Sequence, residues 1–143
     1  MIDLITGVRH IGVVVEERKK SVDVFKRIFD LKDEEIMMLP PPGSADEGMR
    51  AAFMPVAGTE FALIQPVTEQ FKEMLKSRSP GLDHIAFIVK DIDEAARLVR
   101  ERGIRFGHVT KDGIQEMPRS RMVYLEPEDT GGILIELVEP KKE

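Results

Sequence analysis

Apolar residues in this chain fall into short runs and helical stripes, with no long unbroken stretch. The runs Ile11 to Val15 and Ile85 to Val89 have the length of strands and are rich in β-branched side chains. Val22, Phe25, Ile28 and Phe29 recur at helical spacing within 17–29, so a strand near 7–15 is followed by a helix. The same order returns downstream. Asp91-Ile92-Asp93-Glu94 reads as a capping box, with Asp91 as N-cap and Glu94 three residues later, ahead of Ala95, Ala96, Leu98 and Val99. Gly103 is the predicted stop. Three short strands are predicted behind each helix, at about 34–39, 49–54 and 59–65, then at about 105–109, 121–126 and 132–139. Pro40-Pro41-Pro42-Gly43 and Lys111 to Arg119 break the first two strands of each set and are expected to be mobile loops. Between the sets, Phe71, Met74 and Leu75 stand at i, i+3 and i+4 in Thr68 to Ser77, which reads as a linker helix ending before Pro80-Gly81.

The order recurs because the sequence repeats. Gly7-Val8-Arg9-His10-Ile11-Gly12 matches Gly81-Leu82-Asp83-His84-Ile85-Ala86, and His84 lies 74 residues after His10. The same spacing relates Val15 to Val89, Gly58 to Gly132, Leu63 to Leu137 and Pro66 to Pro140, whereas Pro55 and Pro127 are 72 apart. A two-residue insertion in one copy is implied. The predicted fold class is α+β: two tandem βαβββ modules, at about 5–66 and 81–140, joined by the linker helix at about 67–80. Together they are expected to form one domain over 1–143, with a curved mixed sheet around a shared concave surface.

Composition narrows what such a chain does. A length of 143 residues suits one hydrophobic core, and 42% hydrophobic with 33% charged residues is a globular balance. No apolar run is long enough to span a bilayer, and no basic segment leads into an apolar stretch near the first residues, so no export is expected. Twenty-one Lys plus Arg against 26 Asp plus Glu leave a net charge of −5, which disfavours nucleic acid as a partner. The absence of cysteine fits a reducing cytoplasm, and it leaves only N and O ligands for any metal. Sheet edges and half-repeat packing make a homodimer the expected assembly.

Three residues stand out chemically. On alternating strands His10 shares a face with Val8, Gly12 and Val14, and His84 with Leu82, Ala86 and Ile88. Glu136 shares one with Leu134 and Val138, where an unpaired carboxylate would be costly. A single His on a strand is more often structural, but these two are related by the spacing that relates the glycines and prolines. His10, His84 and Glu136 make a two-His, one-carboxylate set suited to Fe, Mn, Co, Zn or Ni, with open positions for substrate and water. Arg121, on the face of Val123 and Leu125, is a candidate for holding an anionic group of a small-molecule substrate. His108 has no His at its repeat position and reads as surface, and the eight Met read as core filler.

Val8 to Gly12, Leu82 to Phe87 with Val89 to Asp93, and Pro127 to Leu137 resemble the vicinal-oxygen-chelate, or glyoxalase-like, superfamily, and within it most closely the methylmalonyl-CoA epimerases. The resemblance covers essentially the whole chain. It implies that His10, His84 and Glu136 hold a divalent metal. In that family the metal binds the thioester and carboxylate oxygens of an acyl-CoA and stabilises the enolate formed when the α-proton leaves. The family's fourth ligand, a Gln or Glu, falls at Ala62, with Glu60 and Gln65 nearby, and one acid–base carboxylate of the family falls at Ala51. Glu136 is then left as the proton-transfer group. The resemblance therefore implies a metal-dependent epimerase or lyase. An Fe(II) extradiol-type dioxygenase and a non-catalytic small-molecule binder on the same fold are the alternatives.

Overall fold

The structure, a computed structural model, describes residues 1–40, 48–75 and 80–142, with the side chains of residues 74 and 75 outside that description. In chain order the elements are β1 (Ile5–Val14), α1 (Arg18–Phe29), β2 (Met37–Leu39), β3 (Met49–Val56), β4 (Thr59–Pro66), α2 (Glu69–Leu75), β5 (Gly81–Val89), α3 (Ile92–Glu101), β6 (Gln115–Glu116), β7 (Ser120–Tyr124) and β8 (Leu134–Pro140). Each copy of the repeat runs βαβββ, as the sequence pattern predicts. The chain divides into two compact units: an amino-terminal unit of His10–Asp83, and a carboxy-terminal unit of Met1–Arg9 with His84–Glu143. Strands β1 and β5 each pass from one unit to the other partway along.

In the amino-terminal unit, β4 runs parallel to the second half of β1 and antiparallel to β3, which pairs in turn with β2. Alternation along the strands sends Ala52, Met54 and Leu63 to one face, where they bury with Val22 and Phe25 of α1. Burial of this kind contributes about 1.5–3 kcal/mol for each large aliphatic side chain. The rings of Phe25, Phe29 and Phe61 lie 5.4–6.4 Å apart and extend the same cluster. Ile28, expected on this stripe, is instead 61% exposed. At 100° per residue it sits roughly 90° around the helix from the middle of the line through 22, 25 and 29. Glu17, at the N-cap of α1, makes no side-chain cap; the Oε1 of Gln65 on β4 accepts from the Arg18 amide at 2.8 Å in its place.

In the carboxy-terminal unit the first half of β1 lies beside β5, with the Lys90 amide donating to the Leu4 carbonyl at 2.9 Å and the Thr6 hydroxyl to the Ile88 carbonyl at 3.5 Å. Strand β5 runs parallel to β8, β8 antiparallel to β7, and β7 antiparallel to β6. Val89, Ile92, Ala95, Ala96, Val99, Val123 and Leu137 form the core between α3 and the sheet. Asp91 caps α3 by accepting from the Glu94 amide at 3.0 Å, as expected. The reciprocal half of the box is absent, because the Glu94 carboxylate pairs with the guanidinium of Arg97 one turn on.

Two expectations are corrected here. The strand expected at 105–109 reduces to a single bridge, Phe106 with Leu125, followed by a 3₁₀ turn at His108–Thr110. The chain bends there because His108 has a φ of 54°, and Thr110, fully buried, ties the turn to Tyr124. The missing strand is β6, inside the stretch read as a loop. The insertion is also three residues, not two. Ala51 pairs with Ile64 where Met122 pairs with Val138, so the inner strands are offset by 71 residues and the last strands by 74. The extra residues lie between β7 and β8, which are joined through a 3₁₀ turn at Pro127–Asp129, whereas Ala57-Gly58 alone closes the β3–β4 hairpin at positive φ. Expectations for 41–43, for 76–77 and for the Met74 and Leu75 side chains lie outside the described residues. Among the described residues no helix is long and apolar enough to cross a membrane.

Candidate functional site

The parallel registers of the two units agree with the repeat residue by residue. His10 pairs with Glu60 and Gly12 with Ala62; 74 residues later His84 pairs with Leu134 and Ala86 with Glu136. Ala62 is therefore the structural counterpart of Glu136, and it is buried at 2% exposure.

In the carboxy-terminal unit, β5 and β8 put His84 and Glu136 on the face turned away from α3, among Ala86, Met122 and Val138. The Nε2 of His84 lies 3.3 Å from Oε2 of Glu136, and their side chains are only 4% and 8% exposed. A carboxylate so enclosed requires a partner, and the imidazole provides one. The same geometry fits a metal ion. Two ligand atoms each about 2.0–2.2 Å from one cation, at octahedral or tetrahedral angles, lie about 2.8–3.6 Å apart. The donor set is nitrogen and oxygen, which suits the divalent transition metals the sequence implies.

Tyr124, opposite Glu136 in the β7–β8 register, presents its ring edge-on to His84, with centroids 5.6 Å apart and planes at 89°. Behind it the His108 ring lies 4.8 Å from that of Tyr124, and both His108 ring nitrogens are buried. His108 is thus an inner residue of this cluster, not the surface residue expected. No periodicity could have revealed it, since a left-handed turn held by Thr110 carries it inward. The Thr110 hydroxyl donates to the Gly107 carbonyl at 2.8 Å and accepts from the Tyr124 amide at 2.8 Å.

Arg121 does share the face of Val123 and Leu125, as expected, and this is the face packed on α3. Its guanidinium donates to both oxygens of Asp93, at 2.8 and 3.0 Å, and its Nε to Glu116 at 2.8 Å. The hydrogen bond from Arg121 holds the Asp93 carboxyl below its usual range. The cation expected to hold a substrate anion is held by the chain's own carboxylates, on the side of the sheet opposite His84 and Glu136. Gln65 is likewise engaged, at the start of α1. His10 lies half-buried on β1 in the amino-terminal unit.

Residues 9–124 match the model of the Glyoxalase/Bleomycin resistance protein/Dioxygenase superfamily, and the chain belongs to that family. Its α+β fold, with the duplicated βαβββ order, is the fold of that family's methylmalonyl-CoA epimerases. The human mitochondrial methylmalonyl-CoA epimerase is 24% identical over 147 residues, covering 95% of this chain and 79% of that protein. The uncharacterised protein YqjC of Bacillus subtilis is 24% identical over 139 residues, covering 92% and 91%. The crystal structure of methylmalonyl-CoA epimerase from Mycobacterium tuberculosis superposes with a TM-score of 0.74 at 28% identity, covering 97% and 91%. A Streptomyces coelicolor methylmalonyl-CoA epimerase in complex with 2-nitronate-propionyl-CoA shares the fold, with a TM-score of 0.73 at 23% identity over 96% and 99%.

Proposed function

We propose that this chain is a divalent-metal-dependent epimerase of methylmalonyl-CoA or a closely similar acyl-CoA, with His10, His84 and Glu136 as metal ligands. The observation that carries the reading is the buried His84–Glu136 pair at ligand spacing. His10 joins it as the repeat counterpart of His84, 74 residues earlier. A bound divalent cation polarises a substrate carbonyl and stabilises negative charge developing on its oxygen. The protein's part is positioning and proton transfer. His84 is oriented by the Tyr124 ring edge, which limits the rotation of its imidazole. Ala86, Met122 and Val138 keep water away from one side of the pair. Glu136 has two oxygens, so that one is available to accept the α-proton; inversion then requires a proton delivered to the opposite face of the enolate, from water or after the enolate turns over in the site.

The test is incubation with methylmalonyl-CoA in D₂O. Metal-loaded protein should exchange the α-proton for deuterium, protein stripped by a chelator should not, and Glu136→Gln should lose the exchange. No exchange with any divalent metal would refute the epimerase reading. Ala62 supports a second reading, since three protein ligands leave more positions open, as an Fe(II) dioxygenase requires. Oxygen uptake with catechols after anaerobic iron loading would support it.

A further inference from the structure

We infer that His108 is a positioning residue, a wedge that holds the Tyr124 ring against His84 and so fixes the plane of the His84 imidazole. The inference rests on the metal reading proposed above, and every residue it uses lies in the carboxy-terminal unit. Tyr124 stands opposite Glu136 in the β7–β8 register and meets His84 edge-on, with ring centroids 5.6 Å apart. The His108 ring lies 4.8 Å from the Tyr124 ring at an interplanar angle of 50°, with both nitrogens buried. The two contacts come from different sides. His84, on β5, lies beyond β8, whereas the turn carrying His108 bonds to the other edge of β7. Tyr124 is therefore flanked by two imidazoles, one of them a proposed ligand.

The turn is built to keep His108 there. Its two ends are bonded to Tyr124 itself: the Gly107 amide donates to the Tyr124 carbonyl at 3.0 Å, and the Tyr124 amide donates to the Thr110 hydroxyl at 2.8 Å. Thr110 is fully buried, and its hydroxyl donates to the Gly107 carbonyl at 2.8 Å. Gly107 is seated so closely on β7 that a Cβ there would lie 2.8 Å from the Glu126 Cα. His108, between them, is forced to a φ of 54°, a conformation disfavoured for any residue with a Cβ and open to glycine. An imidazole held in that conformation with its ring turned inward is strain maintained beside a site. The need for a wedge is physical. The last torsion of a His side chain is broad, so an edge-on neighbour restrains it only if that neighbour is itself held. Tyr124 is half-buried and has room to swing outward unless a ring stands behind it.

The experiment compares wild type with His108→Gly, which removes the ring and relieves the backbone, and with His108→Phe, which keeps a ring at the same φ. Nuclear magnetic resonance of protein with nitrogen-labelled histidine reads the His84 imidazole without metal, and titration calorimetry reads affinity for Co(II). In His108→Gly the His84 signals should broaden or split as the imidazole samples further orientations, and Co(II) should bind about 10-fold more weakly. His108→Phe should restore both. Because His108 acts through Tyr124, adding His108→Gly to Tyr124→Leu should weaken binding no further than Tyr124→Leu alone, whereas independent packing contributions would add. Unchanged His84 signals and affinity in His108→Gly would overturn the inference, as would a loss in His108→Phe equal to that in His108→Gly. If His84→Ala binds Co(II) as wild type does, the metal reading fails, and the metal-free His84 signals alone decide what His108 does. Circular dichroism melting checks that each variant folds; should His108→Gly not fold, His108→Asn, which tolerates the left-handed region, takes its place.

Discussion

Replacing His84 and Glu136 together by leucine separates what the buried pair does for the fold from what it does for a metal. Their side chains are 4% and 8% exposed and 3.3 Å apart, so each is the other's close partner in an apolar setting. Removing one member breaks a buried pair, at a cost of about 3–5 kcal/mol. For a chain of this length, about 3 °C of melting temperature accompanies each kcal/mol, so His84→Leu should melt about 10–15 °C below wild type. The double variant replaces the pair with hydrocarbon of similar volume and should melt near wild type or above it. Metal gives the opposite ranking. At 100 times its Kd a cation that binds only the folded state adds about 2.7 kcal/mol, so wild type should gain about 8 °C and the double variant nothing. Differential scanning calorimetry, with and without Co(II) after chelator treatment, measures both. An equal metal-induced rise in wild type and the double variant, or an unshifted His84→Leu, would refute the reasoning.

Three further outcomes follow from local geometry. Gly107→Ala should destabilise by about 1–3 kcal/mol, because a Cβ there lies 2.8 Å from the Glu126 Cα and neither backbone can yield; thermal melting reads it. Gln65→Ala should cost about 1 kcal/mol by uncapping α1, seen as a lower urea midpoint with an unchanged slope. Hydrogen bonds from the Arg105 guanidinium, then from its backbone amide, hold Asp129 below its usual range. A lowered carboxyl contributes stability above its unfolded pKa and loses it as pH falls through the folded value. Arg105→Ala should therefore lower the neutral plateau slightly and leave the acid end unchanged, so that the acid limb of a stability–pH curve becomes shallower; the effect is small because Arg105 is exposed.

The duplicated order of elements was legible in the sequence because it is written in local signals. Period-2 runs, a helical stripe at 22, 25 and 29, the Asp91 cap and the offset of 74 all depend on residues near one another in the chain or on a copy of themselves. The pairing of His84 with Glu136 was legible for the same reason, since both lie on strands whose face is set by alternation. What the sequence could not decide was the company each side chain keeps. Arg121 has the predicted face, but only packing of α3 on that face brings Asp93 to its guanidinium. His108 reads as surface until a left-handed turn and the Thr110 hydroxyl carry its ring behind Tyr124. Gln65 becomes a helix cap only where β4 meets the start of α1. Periodicity reports which way a side chain points, whereas its partners come from distant segments whose meeting depends on the whole chain's packing.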